Sequence, residues 1–243
     1  GEITKLEEEK NKFLRFLGIA AHDMKAPLAA IQSYFGIMLG GYTGDLNPKQ
    51  KGMIERSNTR IKELMNLISD LLDIPRIETG QLVQEMKDFS LKELLKRCLA
   101  EQRTLAREKG LALKTEAPDT LGWVYGSPPR IQQVLTNLVN NSISYTQQGC
   151  ITVKVTESND HVRVDVSDTG IGIPADEAPK IFEDFFRASN TDVKGTGLGL
   201  SITRRIVESH NGQITCQSPC PDTDCGCLFT FTLPKTKSRR KRG

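Results

Sequence analysis

The chain has 243 residues, 37% of them hydrophobic and 26% charged, an ordinary globular composition that allows one large or two small domains with cores of their own. No stretch of about 18 apolar residues suggests a membrane span, and the first ten residues lack the apolar centre of a signal peptide, so a cytoplasmic location is expected. The net charge of +3 depends on six cations in the last nine residues, Lys235, Lys237, Arg239, Arg240, Lys241 and Arg242; without them it becomes −3, so 235–243 reads as a solvated basic tail and no nucleic-acid partner is expected.

The first element is a long helix in which Ile3, Leu6, Phe13, Leu17, Ala20, Met24, Leu28, Ile31, Phe35 and Met38 recur by threes and fours, as a buried face requires. His22 and Asp23 fall off that stripe. An imidazole is mostly neutral near pH 7 and can attack an electrophile when a neighbour takes its second proton, so His22 reads as a phosphate acceptor and Asp23 as its base. Pro27 has no N–H, which leaves the Asp23 carbonyl without its helical partner and predicts a bend costing roughly 3 kcal/mol. The abrupt start in mid-pattern predicts a sensory region upstream of this chain, with room there for a membrane anchor.

A turn-rich link, 40–48, ends in Asn47 as a helix cap and Pro48 in the first turn. The second helix carries Ile54, Ser57, Ile61, Leu64, Ile68 and Leu71, widened by Met65, Leu67 and Leu72, and is expected to stop before Pro75. Two helices cannot enclose a core, so the wide apolar faces predict a homodimer through a four-helix bundle. This hairpin is assigned to 1–79.

From Gly80 helices alternate with strand-like runs, marking a second domain over 80–234. Strands are expected at 82–86, 111–115, 123–125, 151–156, 162–167, 213–217 and 228–233, and helices at 90–109, at 128–145 and up to His210, as an α/β sandwich over one sheet. The segment from Cys216 through Cys220 and Cys225 to Cys227 packs four thiols into twelve residues. Four thiolates can hold zinc or an iron–sulfur cluster, but the spacing is not a paired C-x-x-C, and reduced thiols are the favoured reading over a metal or redox site.

Asn137 and Asn141 lie four apart, on one face of the 128–145 helix. Neutral amide oxygens can bind magnesium without repelling a triphosphate. Asp168-Thr169-Gly170-Ile171-Gly172 follows an alternating strand, where a buried carboxylate can accept from the exocyclic amine of adenine. A second loop, Lys194-Gly195-Thr196-Gly197-Leu198-Gly199, opens a helix whose free N–H groups suit phosphate, with Lys194 adding charge. Between the loops, Phe182, Phe185, Phe186 and the polar stretch from Arg187 read as a lid with aromatic anchors.

These stretches, in this order, resemble the transmitter module of a two-component sensor histidine kinase over residues 1–234: a histidine box at His22, an asparagine box at Asn137 to Asn141, glycine boxes at Asp168 and at Gly195 to Gly199, and a phenylalanine box between them. The resemblance implies a dimerisation and histidine-phosphotransfer hairpin followed by a Bergerat-type ATP-binding domain, α+β overall. It implies that His22 is phosphorylated with Asp23 as base and that Mg2+ sits on Asn141 with Asn137 in support. Asp168 reads adenine, and Tyr145, Gly170, Gly172, Arg187, Lys194, Gly195, Thr196, Gly197, Leu198 and Gly199 line the ATP site. The phosphoryl group then passes to an aspartate of a response regulator receiver domain. Three positions depart from the family pattern. Ser144 replaces a common Lys or Arg, Ser127 replaces an Asp three residues before Arg130, and Ala26 replaces the Thr or Asn that orients a hydrolytic water, which predicts weak phosphatase activity. The alternatives are a nucleotide-binding scaffold without transfer, and a stand-alone ATPase, against which the His-Asp hairpin counts.

Overall fold

The structure is a computed structural model that describes residues 2–78, 85–193 and 195–236. The chain divides into two compact units, Gly1–Thr79 and Gly80–Gly243. Among the described residues no helix is long and apolar enough to cross a membrane.

The first unit is an antiparallel pair of helices, α1 (Glu2–Leu39) and α2 (Pro48–Glu78). Helix α2 begins as the sequence predicts, with a reciprocal cap. The Gln50 N–H donates to Asn47 Oδ1 and the Asn47 N–H donates to Gln50 Oε1, both at 2.9 Å, which satisfies two donors the first turn would otherwise leave open. The predicted stop before Pro75 is corrected: α2 runs through Pro75 to Glu78. Pro75 removes one hydrogen bond but is itself buried, close in sequence to Ile68 and Leu72, so packing overrides the local penalty. Helix α1 likewise continues through Pro27. The hairpin core consists of Ala21, Ile68 and Leu72, with Leu28 packed against them. Of the predicted α1 stripe, Leu17, Ala20, Leu28, Phe35 and Met38 are half-buried, whereas Leu6, Phe13, Met24 and Ile31 remain exposed, because one partner helix cannot cover so wide a face.

The second unit has β1 (Lys87–Ser90), α3 (Leu91–Glu108), β2 (Ala112–Glu116), β3 (Trp123–Gly126), α4 (Pro128–Tyr145), β4 (Cys150–Glu157), β5 (His161–Asp168), α5 (Gly199–Ser209), β6 (Ile214–Gln217) and β7 (Leu228–Pro234). The strand expected at 82–86 falls largely outside the described residues, and the first observed strand follows it. The single expected sheet is corrected to two. Strands β1 and β3 form a separate antiparallel pair, while the main sheet has the order β2-β4-β5-β7-β6, parallel only between β2 and β4. Lys235, assigned to the basic tail, belongs to the folded unit: its N–H donates to the Asp160 carbonyl at 2.9 Å and its amine pairs with Glu157. Residues 237–243 lie outside the described residues.

Alternation decides which face is covered. Val162, Val164 and Val166 of β5 are buried and register against Leu233, Phe231 and Phe229 of β7, forming the floor on which α4 and α5 pack. Each such side chain contributes roughly 1.5–3 kcal/mol by leaving water. The next inward position on β5 is Asp168. Thus the period that builds the core also turns one carboxylate toward the helix layer at the strand end.

Candidate functional site

In the helical unit, His22 and Asp23 are exposed, with His22 Nδ1 3.5 Å from Asp23 Oδ1. So loose and solvated a contact orients the ring without adding appreciable stability. The pair borders a shallow hollow completed by Arg15, Gly18 and Ile19. Gly18 lies one turn before His22, and a Cβ there would meet nothing within 4 Å, so the imidazole is open to a large reactant. Sequence reasoning missed Arg15, whose guanidinium borders the same hollow; its i, i+7 spacing from His22 was the available signal.

In the second unit Asp168 is 4% exposed and saturated on one oxygen. Its Oδ1 accepts the N–H groups of Gly170 at 2.9 Å and Cys227 at 3.1 Å, and its Oδ2 accepts the Ser142 hydroxyl at 3.0 Å. Burial raises the acid's pKa, and these three donors partly offset the rise. Oδ2 keeps a lone pair free, and the Thr146 hydroxyl, which faces Gly170 as Oδ1 does, is buried with no partner among the described residues. Gly170 is required here because a Cβ would lie 2.6 Å from the Tyr145 carbonyl and 3.0 Å from Thr146 Oγ1; the Ile171 N–H donates to that carbonyl at 3.2 Å. Gly172 adopts φ +71, the left-handed turn that glycine reaches without strain. Tyr145, at the end of α4, is half-buried.

Asn137 and Asn141 are both half-buried on α4. Asn137 Nδ2 donates to Thr203 Oγ1 of α5 at 2.8 Å, and a Cβ on Gly199 would come within 2.6 Å of Asn137 Oδ1, so the start of α5 is seated directly on this amide. The Asn141 side chain has no hydrogen-bond partner among the described residues, which leaves its amide oxygen open to a ligand. The α5 N-cap, Leu198, is buried and provides no side-chain cap, so the first N–H groups of α5 stay open to an anion. At Gly197, φ +75, a Cβ would lie 2.6–2.8 Å from the Phe185 backbone, and the Phe185 N–H donates to the Gly197 carbonyl at 3.0 Å. Thr196 Oγ1 accepts the Leu198 N–H at 3.1 Å, and Gly195 faces open space. Lys194 lies outside the described residues.

The lid has the predicted anchor in Phe182, which meets Phe229 edge to face at 6.5 Å, while Phe185 is exposed. Arg187 donates to the Val193 carbonyl and so braces the lid loop. Asn190 ties the lid to the Gly172 carbonyl at 3.1 Å, and Asp184 joins Arg205 of α5 through two bonds of 2.8 and 2.6 Å. Arg205 holds the Asp184 carboxyl below its ordinary range.

The departure at Ser127 has a structural answer. Glu85 reaches Ser127 Oγ at 2.8 Å and Arg130 Nε at 3.5 Å, so a carboxylate stands beside Arg130 after all, delivered from another segment. The Ser127 N–H donates to His210 Nε2 at 2.9 Å, and His210 Nδ1 lies 2.7 Å from the Ile206 carbonyl, which makes His210 a neutral Nδ1–H tautomer. Burial holds its pKa below the ordinary value, with the Ile206 carbonyl and the Glu85 charge opposing. Ser144 is exposed, and Lys109 donates to the Ile143 and Ser144 carbonyls at 2.6 and 2.9 Å, closing the C-terminus of α4.

All six cysteines are free thiols, and among the described residues no group of three or more His, Cys, Asp and Glu side chains is arranged to hold a metal ion.

A two-layer sandwich with a buried carboxylate at a strand end, a paired-asparagine helix and a glycine-opened helix is the ATPase class shared by histidine kinases, gyrases and chaperones. Residues 126–237 match the family described as histidine kinase-, DNA gyrase B-, and HSP90-like ATPase, and residues 14–80 match the His Kinase A (phospho-acceptor) domain. The chain is 32% identical over 223 residues to the sensor histidine kinase RcsC of Escherichia coli (strain K12), a match that spans 90% of this chain and 23% of RcsC. Among solved structures, the catalytic domain of the histidine kinase ThkA superposes with a TM-score of 0.56 at 34% identity, covering 63% of this chain and 99% of that domain. Full-length ShkA shares the fold at 23% identity with a TM-score of 0.77, covering 92% of this chain and 46% of ShkA. The chain belongs to the sensor histidine kinases of two-component signalling, as their transmitter module.

Proposed function

We propose that this chain is the catalytic part of a protein-histidine kinase, transferring the γ-phosphoryl group of ATP to a ring nitrogen of His22 and from there to an aspartate of a response regulator. The observation that carries the reading is Asp168: a buried carboxylate whose oxygens are aimed and half-satisfied, beside an unpartnered Thr146 hydroxyl, is costly to keep unless a ligand completes it. An adenine amine and ring nitrogen fit that donor and acceptor set. ShkA was solved with AMPPNP, in keeping with a nucleotide at the same fold position.

The residues also suit magnesium. Asn141 offers an uncommitted amide oxygen and Asn137 is fixed behind it by Thr203, a neutral set matched to a hydrated cation that also bears phosphates. Bound there, magnesium would neutralise charge on the triphosphate. The open N–H groups of α5 cradle the phosphates, Gly197 and Gly199 let backbone approach them, and Lys194 adds a cation. Asp23 takes the imidazole proton as the nitrogen attacks in line. The exposed apolar faces of α1 and α2 support a homodimer through the hairpin, and the same unit receives the response regulator. Glu85 beside Arg130 counts against the scaffold alternative, because it supplies the carboxylate that Ser127 lacks.

The test is incubation with γ-labelled ATP and magnesium. Acid-labile label on the parent, lost in both His22→Gln and Asn141→Asp, is expected. Label that persists in His22→Gln overturns the assignment of the acceptor.

A further inference from the structure

The four C-terminal cysteines are not idle neighbours of the pocket. Strands β6 and β7 pair in a register that carries on past their ends into an isolated antiparallel bridge between Cys220 and Cys225, with the Cys220 N–H donating to the Cys225 carbonyl at 3.2 Å. Antiparallel partners have Cα atoms roughly 4.5–5.5 Å apart. That lies inside the disulfide range of roughly 4.4–6.8 Å. Cys220 is fully buried, and Cys225 alone among the six cysteines is exposed.

The two residues after Cys225 touch the adenine corner. A Cβ on Gly226 would lie 2.0 Å from the Asp168 carbonyl oxygen, so that backbone is packed flat against the loop. Cys227 exchanges two bonds with Asp168: its N–H donates to Oδ1 at 3.1 Å, and its carbonyl accepts the Asp168 N–H at 2.9 Å. Ser218, across the hairpin, donates to the Gly226 carbonyl at 3.0 Å and accepts the Ile173 N–H at 2.8 Å. Cys225 is thus joined directly to the group that aims the Asp168 carboxylate, and the adjustment that a cross-link imposes on it is passed there.

We propose that Cys220 and Cys225 form a thiol–disulfide switch, oxidised by peroxide, that weakens ATP binding through Gly226 and Cys227. The inference rests on the reading of Asp168 as the adenine contact. In the first step the exposed Cys225 thiolate attacks one peroxide oxygen; the O–O bond breaks, the leaving hydroxide takes a proton to become water, and Cys225 becomes a sulfenic acid. Cys220 sulfur then attacks the Cys225 sulfur, expelling hydroxide, which leaves as water with the Cys220 proton. Two thiols lose two protons and two electrons, and hydrogen peroxide is reduced to two waters. A dithiol reverses the step. The remaining pair is a poorer sensor: contact with Cys227 and burial push the Cys216 thiol far up, which keeps it protonated.

The experiment treats the whole chain with hydrogen peroxide, reads the loss of two hydrogens by mass spectrometry, and titrates ATP before and after. The expected result is a cross-link present in the parent and in Cys216→Ser, absent in Cys220→Ser and Cys225→Ser, with Kd for ATP rising about threefold or more and returning with dithiothreitol. A cross-link that needs Cys216, or an unchanged Kd on oxidation, overturns the proposal. Reduced protein that binds no ATP overturns the Asp168 reading, while the cross-link is still judged by mass.

Discussion

The two units solve the burial problem in opposite ways. The ATP-binding unit closes its own core: Val134, Leu135, Leu138, Ile202 and Ile206 of α4 and α5 and the inward residues of β4, β5 and β7 are all buried within one chain. The hairpin buries Leu14, Ala21, Ile54, Ile68 and Leu72 but leaves Leu6, Phe13, Phe16, Ile19 and Tyr34 between 60 and 71% exposed. A self-sufficient unit can keep a charged group inside and aim it, whereas a hairpin with an open apolar face presents its reactive group outward and is built to meet other chains.

The sharpest way to separate the units is Asp168→Asn. An amide keeps the bonds from Gly170 and Cys227 and can donate to Ser142 Oγ, but it presents an amine where the proposed adenine contact needs an acceptor. ATP affinity should fall about 10- to 100-fold, the worth of a charge-assisted hydrogen bond. Stability should not fall with it. The folded pKa of Asp168 is raised, so its ionised form is disfavoured by folding; the stability linked to it is complete below the unfolded value of 3.8 and is lost as pH rises through the folded pKa. At neutral pH the amide avoids that cost, and denaturant titration should place the variant at or above the parent. A variant that loses both binding and stability would show Asp168 to be a structural residue.

The hairpin should respond in the reverse sense. Phe13→Asp puts a charge on the exposed face, and the expected outcome in sedimentation is a shift from dimer to monomer at micromolar protein, with nucleotide affinity of the second unit unchanged. A dimer that survives this substitution would place the interface elsewhere.

How far these differences could be seen in the sequence depends on range. Local signals were legible: the alternation of β5 ending at Asp168 and the Asn47 cap follow from neighbours within one element. Contacts between distant segments were not. Glu85 beside Arg130, Thr203 behind Asn137 and the Cys227 N–H on Asp168 are brought together only by tertiary packing, and no local pattern announces them. Ser142 is the intermediate case: it stands on the apolar stripe of α4, and a polar residue there was a sign of a buried partner. Pro75 misled because tertiary burial outweighed its local penalty.

On the hairpin, Ala26 offers an exposed methyl one turn after His22. Ala26→Thr should raise dephosphorylation of a phosphorylated response regulator severalfold by holding a water, while labelling of His22 stays near the parent level. No gain in dephosphorylation would overturn the expectation that Ala26 limits phosphatase activity.

The smallest effect belongs to His210, which joins Ser127 and Ile206 within the self-sufficient unit. Its folded pKa lies below the unfolded value of 6.5, so the neutral ring contributes stability that is fully present above 6.5 and is lost as pH falls toward the folded pKa. In that window the unfolded chain binds one more proton than the folded one, and stability should decline by up to about 1.4 kcal/mol per pH unit from this group. Glu85 opposes the shift, so Glu85→Gln should lower the His210 pKa further and deepen the decline, while a glutamine at 210 should flatten it. Urea titrations between pH 5 and pH 7 read both slopes. Because the added proton must occupy Nε2 and remove the acceptor of the Ser127 N–H, parallel slopes in parent and His210→Gln would mean that losing this bond costs the fold nothing, and the buried histidine would then be a packing residue and not a pH-sensitive strut between α4 and α5.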